Sequence, residues 1–107
     1  MGDGSSIRDY IHINDVINAL KILMNSNTSY SIFNLGSGTG VSINHIISLI
    51  SKSVGADLKI QYIPSRIDDI DNNILDISLI KDEVGFMTKV DLEFGIKEYT
   101  KYCLDVD

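Results

Sequence analysis

The segment at residues 30–35, YSIFNL, most restricts what this chain can fold into. Both of its alternating sides are largely apolar, and it ends at the glycine-rich stretch GSGTG, so we predict a strand that is buried on both faces. Such a strand needs neighbours in a sheet. Two other strands are predicted, at residues 7–13 and 58–63, and three strands of about six residues make only a small sheet. We therefore expect residues 30–35 to require more sheet than the chain itself supplies.

Four helices are predicted from apolar residues spaced three and four positions apart. The first begins near Asn14 and Asp15, ends at about Asn25 and buries Val16, Leu20 and Leu23, flanked by Ile17 and Met24. The other three follow residues that cap helix starts, and two of them end at a glycine: Ser42 to Gly55, Asp76 to Gly85, and a last helix after Asp91. On the last helix, Leu92, Ile96, Tyr99 and Cys103 share a face. With no repeat or linker, the chain of 107 residues is predicted to be one α/β domain.

The charge and cysteine content exclude several classes of function. A net charge of −6 and a pI of about 4.6 oppose binding to nucleic acid. The single cysteine, Cys103, rules out an internal disulfide and a multi-cysteine zinc site, and we predict it to be a small buried apolar residue. The sequence shows no signal-type leader and no apolar run near 18 residues, so we expect a cytoplasmic protein that does not associate with membranes.

Two arginines are the candidate anion-binding residues. Arg8 alternates with Tyr10 and His12 along the first predicted strand, and Arg66 follows Pro64 at the end of the third. These are the two arginines of the chain, and the planar guanidinium suits phosphate recognition. The residues alone leave two hypotheses open. The two arginines form a diphosphate clamp, or they form surface salt bridges to nearby aspartates.

Other motifs favour structural roles. GSGTG lacks the third glycine of a dinucleotide fingerprint, because position 41 is Val41, so a tight turn with close backbone approach is favoured. The acidic run at residues 68–71 lacks the glycine and the glutamate of a calcium loop. His12 and His45 lie on different elements without cysteine partners, and no Ser-His-Asp arrangement is recognisable. We therefore predict neither a metal site nor a catalytic residue in this chain.

Four stretches resemble one family, in the same order and over nearly the whole chain: GDGSSIRDYIHINDV, FNLGSGTGVSI, PSRIDDI and DISLIKDEVGF. They resemble the C-terminal portion of the extended short-chain dehydrogenase/reductase family, and most closely its NAD-dependent sugar-nucleotide epimerases of the UDP-glucose 4-epimerase kind. The resemblance implies a small α/β substrate-binding domain of three or four helices with short strands, spanning residues 1–107 and lacking the Rossmann core. It also implies that the strand at residues 30–35 completes the Rossmann sheet.

The resemblance assigns roles to four residues of the candidate site. It implies that Arg8 contacts the diphosphate of a UDP-sugar, that Tyr10 lines the nucleotide site, that Arg66 is the second diphosphate arginine and that Asp69 holds the ribose hydroxyls. His12 is expected to be structural. The family usually has Arg-Pro-Gly-Asp where this chain has RIDD at residues 66–69, so the turn is expected to be less preorganised here.

The family's catalytic motifs do not occur in the chain. As the resemblance implies, the family binds NAD with a G-x-x-G-x-x-G loop and carries a tyrosine followed four residues later by lysine. Neither motif is present in this sequence. We therefore expect a nucleotide-sugar-binding fragment that is not catalytic alone, binds UDP-sugars weakly, and leaves NAD to a missing N-terminal Rossmann domain. The alternative is a non-catalytic interaction module that self-associates or pairs with a separate N-terminal chain. A related dehydratase or decarboxylase would share the same motifs.

Overall fold

The fold is α/β, with four helices and a small three-stranded sheet, as the sequence predicts. The computed structural model describes residues 2–64, 66 and 70–105. In chain order the elements are β1 (Ile7–Asp9), α1 (Ile13–Met24), β2 (Gly40–Ser42), α2 (Ile43–Val54), β3 (Asn72–Asn73), α3 (Ser78–Val84) and α4 (Leu92–Asp105).

The sheet has the order β2-β1-β3, so the shortened first strand is at its centre. β1 is antiparallel to β2 and parallel to β3, and Arg8 lies opposite Val41 on one side and Asn73 on the other. The predictions of strands at residues 30–35 and 58–63 are wrong for this structure, because neither described segment is a strand. A strand requires hydrogen bonds to a neighbour, and in the described part of the chain neither segment pairs with β1, β2 or β3.

The hydrophobic core lies between α1, α3 and the segment after α3. Among the described residues its fully buried apolar side chains are Ala19, Ile80 and Phe86. The predicted buried stripe of α1 is only partly right, because Ile17, Leu20 and Met24 are 45%, 51% and 83% exposed. The small Ala19 and the acidic Asp15 face the interior instead.

Asp15 fastens α1 to the segment that precedes α4. Its carboxylate accepts hydrogen bonds from the backbone N–H of Lys89 at 3.0 Å and of Val90 at 3.1 Å, and the residue is only 2% exposed. A buried carboxylate is tolerated where N–H donors replace its hydration. This contact therefore determines where α4 begins relative to α1.

The predicted helix ends are largely confirmed. Ser42 caps α2 by accepting a hydrogen bond from the N–H of His45, and Gly55 ends the same helix with a φ of 81°. Asp91 caps α4 by accepting from the N–H of Phe94 at 2.7 Å. The start of α1 differs, because His12 rather than Asn14 is its cap, with the imidazole Nδ1 accepting from the N–H of Asn14.

The molecule is flat. Its extents are 49 × 38 × 19 Å and its radius of gyration is 16.3 Å, whereas a compact chain of this length would have about 13 Å. Its accessible surface of 7897 Å² likewise exceeds the roughly 5,900 Å² expected for its mass. Much of this surface is apolar, and it includes a face of α1 formed by Ile13, Ile17, Leu20 and Met24.

Candidate functional site

The central strand holds Arg8 between two neighbours. Arg8 is half-buried, and its Nη1 donates a hydrogen bond to the carbonyl of Ile7 at 2.8 Å. Within the described part of the chain, no carboxylate lies within salt-bridge distance of its guanidinium. In a chain with net charge −6 this is informative, because carboxylates are abundant and Arg8 engages none of those described. Its remaining N–H donors suit an external anion.

Asp9, next in sequence, projects to the opposite face and is held by the GSGTG loop. Its carboxylate accepts hydrogen bonds from Ser37 N–H at 2.8 Å, Ser37 Oγ at 2.6 Å and Gly38 N–H at 2.9 Å. The N–H of Leu75 adds a longer contact at 3.3 Å. Gly38 has a φ of 76°, and a Cβ on Gly36 would lie 2.9 Å from Asp9 Oδ2. The glycines therefore form the tight turn and close approach predicted for them, around an internal carboxylate.

This contact decides whether the glycine-rich loop fits NAD. Successive backbone N–H groups in such a turn can bind phosphate. Here the N–H groups of Ser37 and Gly38 already donate to Asp9, so a dinucleotide pyrophosphate would have to displace a carboxylate that the fold supplies. The loop does not fit NAD. The role of Asp9 was missed from the sequence, although one signal was available, because it is an acidic residue between Ile7 and Ile11 on an otherwise apolar side of the strand.

Titration of Asp9 gives a testable dependence of stability on pH. Partial burial opposes its ionisation, but the hydrogen bonds from Ser37, Gly38 and Leu75 outweigh this, so the pKa of Asp9 lies below the ordinary value of 3.8. A depressed folded-state pKa adds stability that is complete above the unfolded-state pKa and is lost as the pH falls through the folded-state pKa. We expect Asp9→Asn to lower the free energy of unfolding at neutral pH, and this difference to shrink below about pH 4.

Urea denaturation of both proteins from about pH 7 to about pH 2.5 checks this expectation. The pKa values of Asp3 and Asp76 are also lowered, in each case chiefly by hydrogen bonds from a serine two residues on, and both aspartates are present in both proteins. Their effects therefore cancel in the difference. A difference that stays constant down to the lowest pH would contradict the assignment to Asp9.

Tyr10 lines a cavity of about 890 Å³ between α4, the end of α2 and the segment after β1. The tyrosine is 41% exposed, and Val41, the partner of Arg8 across the sheet, lines the same cavity. Cross-strand partners project to the same face, so Arg8 shares with Val41 a face of the sheet, and Val41 borders the cavity that Tyr10 lines. The volume is within the range of small-molecule sites, and most of the lining is apolar.

The predicted face of α4 lines the other side of this cavity. Its members are Leu92, Ile96, Tyr99 and Cys103. Cys103 is exposed, so the prediction that it is buried is wrong. The reason is that this face of α4 borders an open cavity instead of packing fully against another element. The Cys103 side chain, chiefly by hydrogen bonding, raises the pKa of the Tyr99 hydroxyl.

His12 lines this cavity and makes contacts to both α1 and α4. While Nδ1 caps α1, Nε2 lies 3.5 Å from Glu98 Oε1 on α4. A Cβ on Gly95 would lie 3.1 Å from the imidazole ring, so α4 and His12 are in close contact at this glycine. The described residues include no cluster of histidine, cysteine and acidic side chains suited to a metal ion.

The second predicted arginine, Arg66, is exposed. Further along the chain, the carbonyl of Asp71 accepts a 2.7 Å hydrogen bond from Ile7 N–H at the start of β1. Asp69, predicted to hold the ribose, lies outside the described residues, as does Asp68. Tyr10 therefore lines the cavity and Arg8 lies in the adjoining strand, and the roles of Arg8, Tyr10, Arg66 and Asp69 remain predictions.

The chain is similar in sequence to known proteins, although no family model matches it. A probable GDP-L-fucose synthase of Oryza sativa is 31% identical over 104 residues, which are 97% of this chain and 31% of that protein. In the described part of the chain, no helix has the length and apolar character needed to cross a membrane.

Two solved structures share the fold and more than a quarter of the residues. A UDP-glucose 4-epimerase of Thermotoga maritima, solved with UDP-glucose, is 34% identical with a TM-score of 0.85, and the match covers 97% of this chain and 34% of that one. MoeE5, solved with UDP-glucuronic acid and NAD, is 28% identical with a TM-score of 0.85 over 95% of this chain and 36% of that one. This chain therefore spans about a third of the length of the proteins it matches.

Proposed function

We propose that this chain, which matches the C-terminal portion of the extended short-chain dehydrogenase/reductases of the sugar-nucleotide epimerase type, is the nucleotide-sugar-binding part of an NAD-dependent UDP-sugar 4-epimerase. It is not catalytic alone. A cytoplasmic location is part of the proposal, because one cysteine leaves no disulfide pair that would indicate an oxidising compartment.

The proposal rests on the surroundings of Arg8. Its guanidinium stands half-buried at the centre of the sheet, and the nearest acidic neighbour in sequence, Asp9, is already saturated with N–H and O–H donors on the other face. The engagement of Asp9 elsewhere supports an anion site at Arg8 over a salt bridge between these two residues. Tyr10 extends the same side of the sheet into a cavity of about 890 Å³. A diphosphate on Arg8 with its nucleoside near Tyr10 makes use of both groups.

NAD belongs, in this proposal, to the part of the related proteins that this chain does not cover. The loop that could have held its pyrophosphate binds Asp9 instead. The chain contains no tyrosine followed four residues later by lysine, the pair expected from the family resemblance. Hydride chemistry is therefore not assigned to any residue here. A dehydratase or decarboxylase would place the same demands on this chain.

The exposed face of α1 supports a partner domain. Ile13, Ile17, Leu20 and Met24 recur at helical spacing and are between 45% and 83% exposed. Nearby in sequence, Ile32 is 80% exposed. It belongs to residues 30–35, which are predicted to be a strand but are not part of this sheet. Apolar surface of this kind is normally covered. We propose that the Rossmann part found in the family covers it. Self-association through the same face is the alternative, and light scattering that shows a monomer at high concentration would count against it.

Arg8→Ala tests the proposed function through binding of UDP. We expect the chain to bind UDP at about millimolar strength, with the largest amide shifts near Arg8 and Tyr10 in a ¹⁵N NMR titration. Losing charge-assisted hydrogen bonds to phosphate is expected to weaken this binding by about ten- to a hundredfold.

Lys21→Ala is the matched control, because it removes the same charge from an exposed position in the last turn of α1. It is expected to change the UDP dissociation constant by less than about twofold. Equal binding by the Arg8→Ala protein and the wild-type chain would refute the assignment of Arg8. Dispersed spectra that do not respond to UDP would show that this part alone forms no site.

A further inference from the structure

We infer that Asp9 is a positioning residue of the nucleotide-sugar site. By anchoring the end of β1 to the GSGTG loop, it fixes the positions of its two neighbours in sequence, Arg8 and Tyr10. The inference rests on the proposed function. It adds a residue for which neither the sequence motifs nor the similar proteins supply a role. Asp9 does not contact the ligand in this scheme, since it projects to the opposite face from Arg8.

The anchor joins three segments that are distant in sequence. The Asp9 carboxylate is bound by Ser37 and Gly38 of the glycine-rich loop and by the N–H of Leu75 just after β3. The loop leads directly into β2 and Leu75 follows β3 closely, so one side chain draws together the end of β1, the start of β2 and the end of β3. Gly36 permits the approach, because a Cβ there would lie 2.8 Å from Leu75 Cδ1 and 2.9 Å from Asp9 Oδ2.

The shortness of the strand makes such an anchor necessary. β1 has three residues, and its ladder to β3 pairs only Ile7 and Arg8. The strand ends at Asp9, and Tyr10 already lies beyond the ladder. The orientation of Arg8 and Tyr10 relative to the cavity is thus fixed by few backbone hydrogen bonds. The carboxylate contacts add charge-assisted bonds at the end of the strand nearest to Tyr10.

A carboxylate suits this position better than an amide of the same shape. Both carboxylate oxygens accept hydrogen bonds here, Oδ1 from Ser37 and Oδ2 from Gly38 and Leu75. An asparagine would present one acceptor oxygen and one NH₂ group, and the NH₂ would face other donors. Asp9→Asn therefore releases one side of the anchor while preserving the size of the side chain.

A double-mutant cycle separates positioning from general destabilisation. UDP is titrated by NMR into the wild-type chain, Asp9→Asn, Arg8→Ala and the double variant. If Asp9 acts through Arg8, Asp9→Asn is expected to weaken UDP binding about tenfold in the wild-type background and less than about twofold in the Arg8→Ala background. The amide resonances of Gly38 and Leu75 should shift in Asp9→Asn without ligand, which reports the release of the anchor.

Two further variants keep the test decisive. Asp3→Asn is the control, because Asp3 also accepts two hydrogen bonds from a serine, Ser5, but is exposed, and it should leave UDP binding unchanged. Ser37→Ala removes the 2.6 Å contact and keeps the backbone donors, so it should give a smaller effect of the same kind even if Asp9→Asn does not fold.

Three outcomes would overturn the inference. Equal losses in both backgrounds would reduce Asp9 to a general stabilising residue, and unchanged binding in Asp9→Asn and Ser37→Ala would remove its role altogether. In both cases the wild-type chain still binds UDP and the proposed function stands. A folded wild-type chain that does not bind UDP overturns this inference together with the proposal on which it rests.

Discussion

Phe86→Ala is expected to lower the free energy of unfolding by about 3–5 kcal/mol. Phe86 is fully buried, and it is the largest of the three fully buried apolar side chains among the described residues, with Ala19 and Ile80. Removing its ring leaves a cavity where α1 and α3 meet the following segment, and so small a core has few other contacts to compensate. Since domains of this size are stable by only about 5–15 kcal/mol, this loss would be a large fraction of the total stability. Urea denaturation followed by circular dichroism measures the change.

Phe94→Ala is the matched control. It removes the same ring from α4, where Phe94 is 56% exposed, and is expected to cost less than about 1 kcal/mol. Similar losses for the two phenylalanines would mean that the core does not lie where the structure places it.

Asp15→Ala is expected to cost about 3 kcal/mol, the second largest effect. The substitution removes a buried carboxylate and leaves the N–H groups of Lys89 and Val90 without their acceptor. It also detaches α1 from the start of α4. Urea denaturation at neutral pH is the measurement, and protection of the Lys89 and Val90 amides from hydrogen exchange should fall in parallel.

Asp91→Ala provides the comparison for Asp15. Asp91 also accepts a backbone hydrogen bond, from Phe94, but it is an exposed helix cap, so its loss should cost about 1 kcal/mol. If Asp15→Ala were no more harmful than Asp91→Ala, the carboxylate of Asp15 would not hold α1 against the segment before α4.

The helices could be predicted because their signals are local. Ser42, Gly55, Gly85 and Asp91 mark boundaries that the structure confirms, since capping depends on residues within one turn of the helix end. Strands depend on partners elsewhere in the chain. Residues 30–35 have the composition of a strand, yet they pair with none of the three strands of the described sheet. The pairing of Arg8 with Asn73 had no local signal at all.

The candidate site was predicted as far as side-chain alternation reaches. The two-residue period of a strand predicts Arg8 and Tyr10 on one side, but the strand of the structure ends at Asp9, before Tyr10. The partners of Asp9 could not be predicted, because they come from residues 28, 29 and 66 positions further along the chain. Asp15 was predicted to mark the start of α1, and its burial was not predicted, because an aspartate in the first turn of a helix is usually exposed.

The thinness of the molecule governs how cooperatively it melts. A thickness of 19 Å corresponds to about one helix layer on one sheet layer, so every element has a side in contact with water. Unfolding then exposes less new surface than for a compact chain of equal length, and both the denaturant slope and the heat-capacity increment scale with that surface. The isolated chain should consequently unfold over a broad interval of temperature. A partner bound to the apolar face of α1 would narrow that interval, because it adds surface that is buried only while both the chain and the complex are folded.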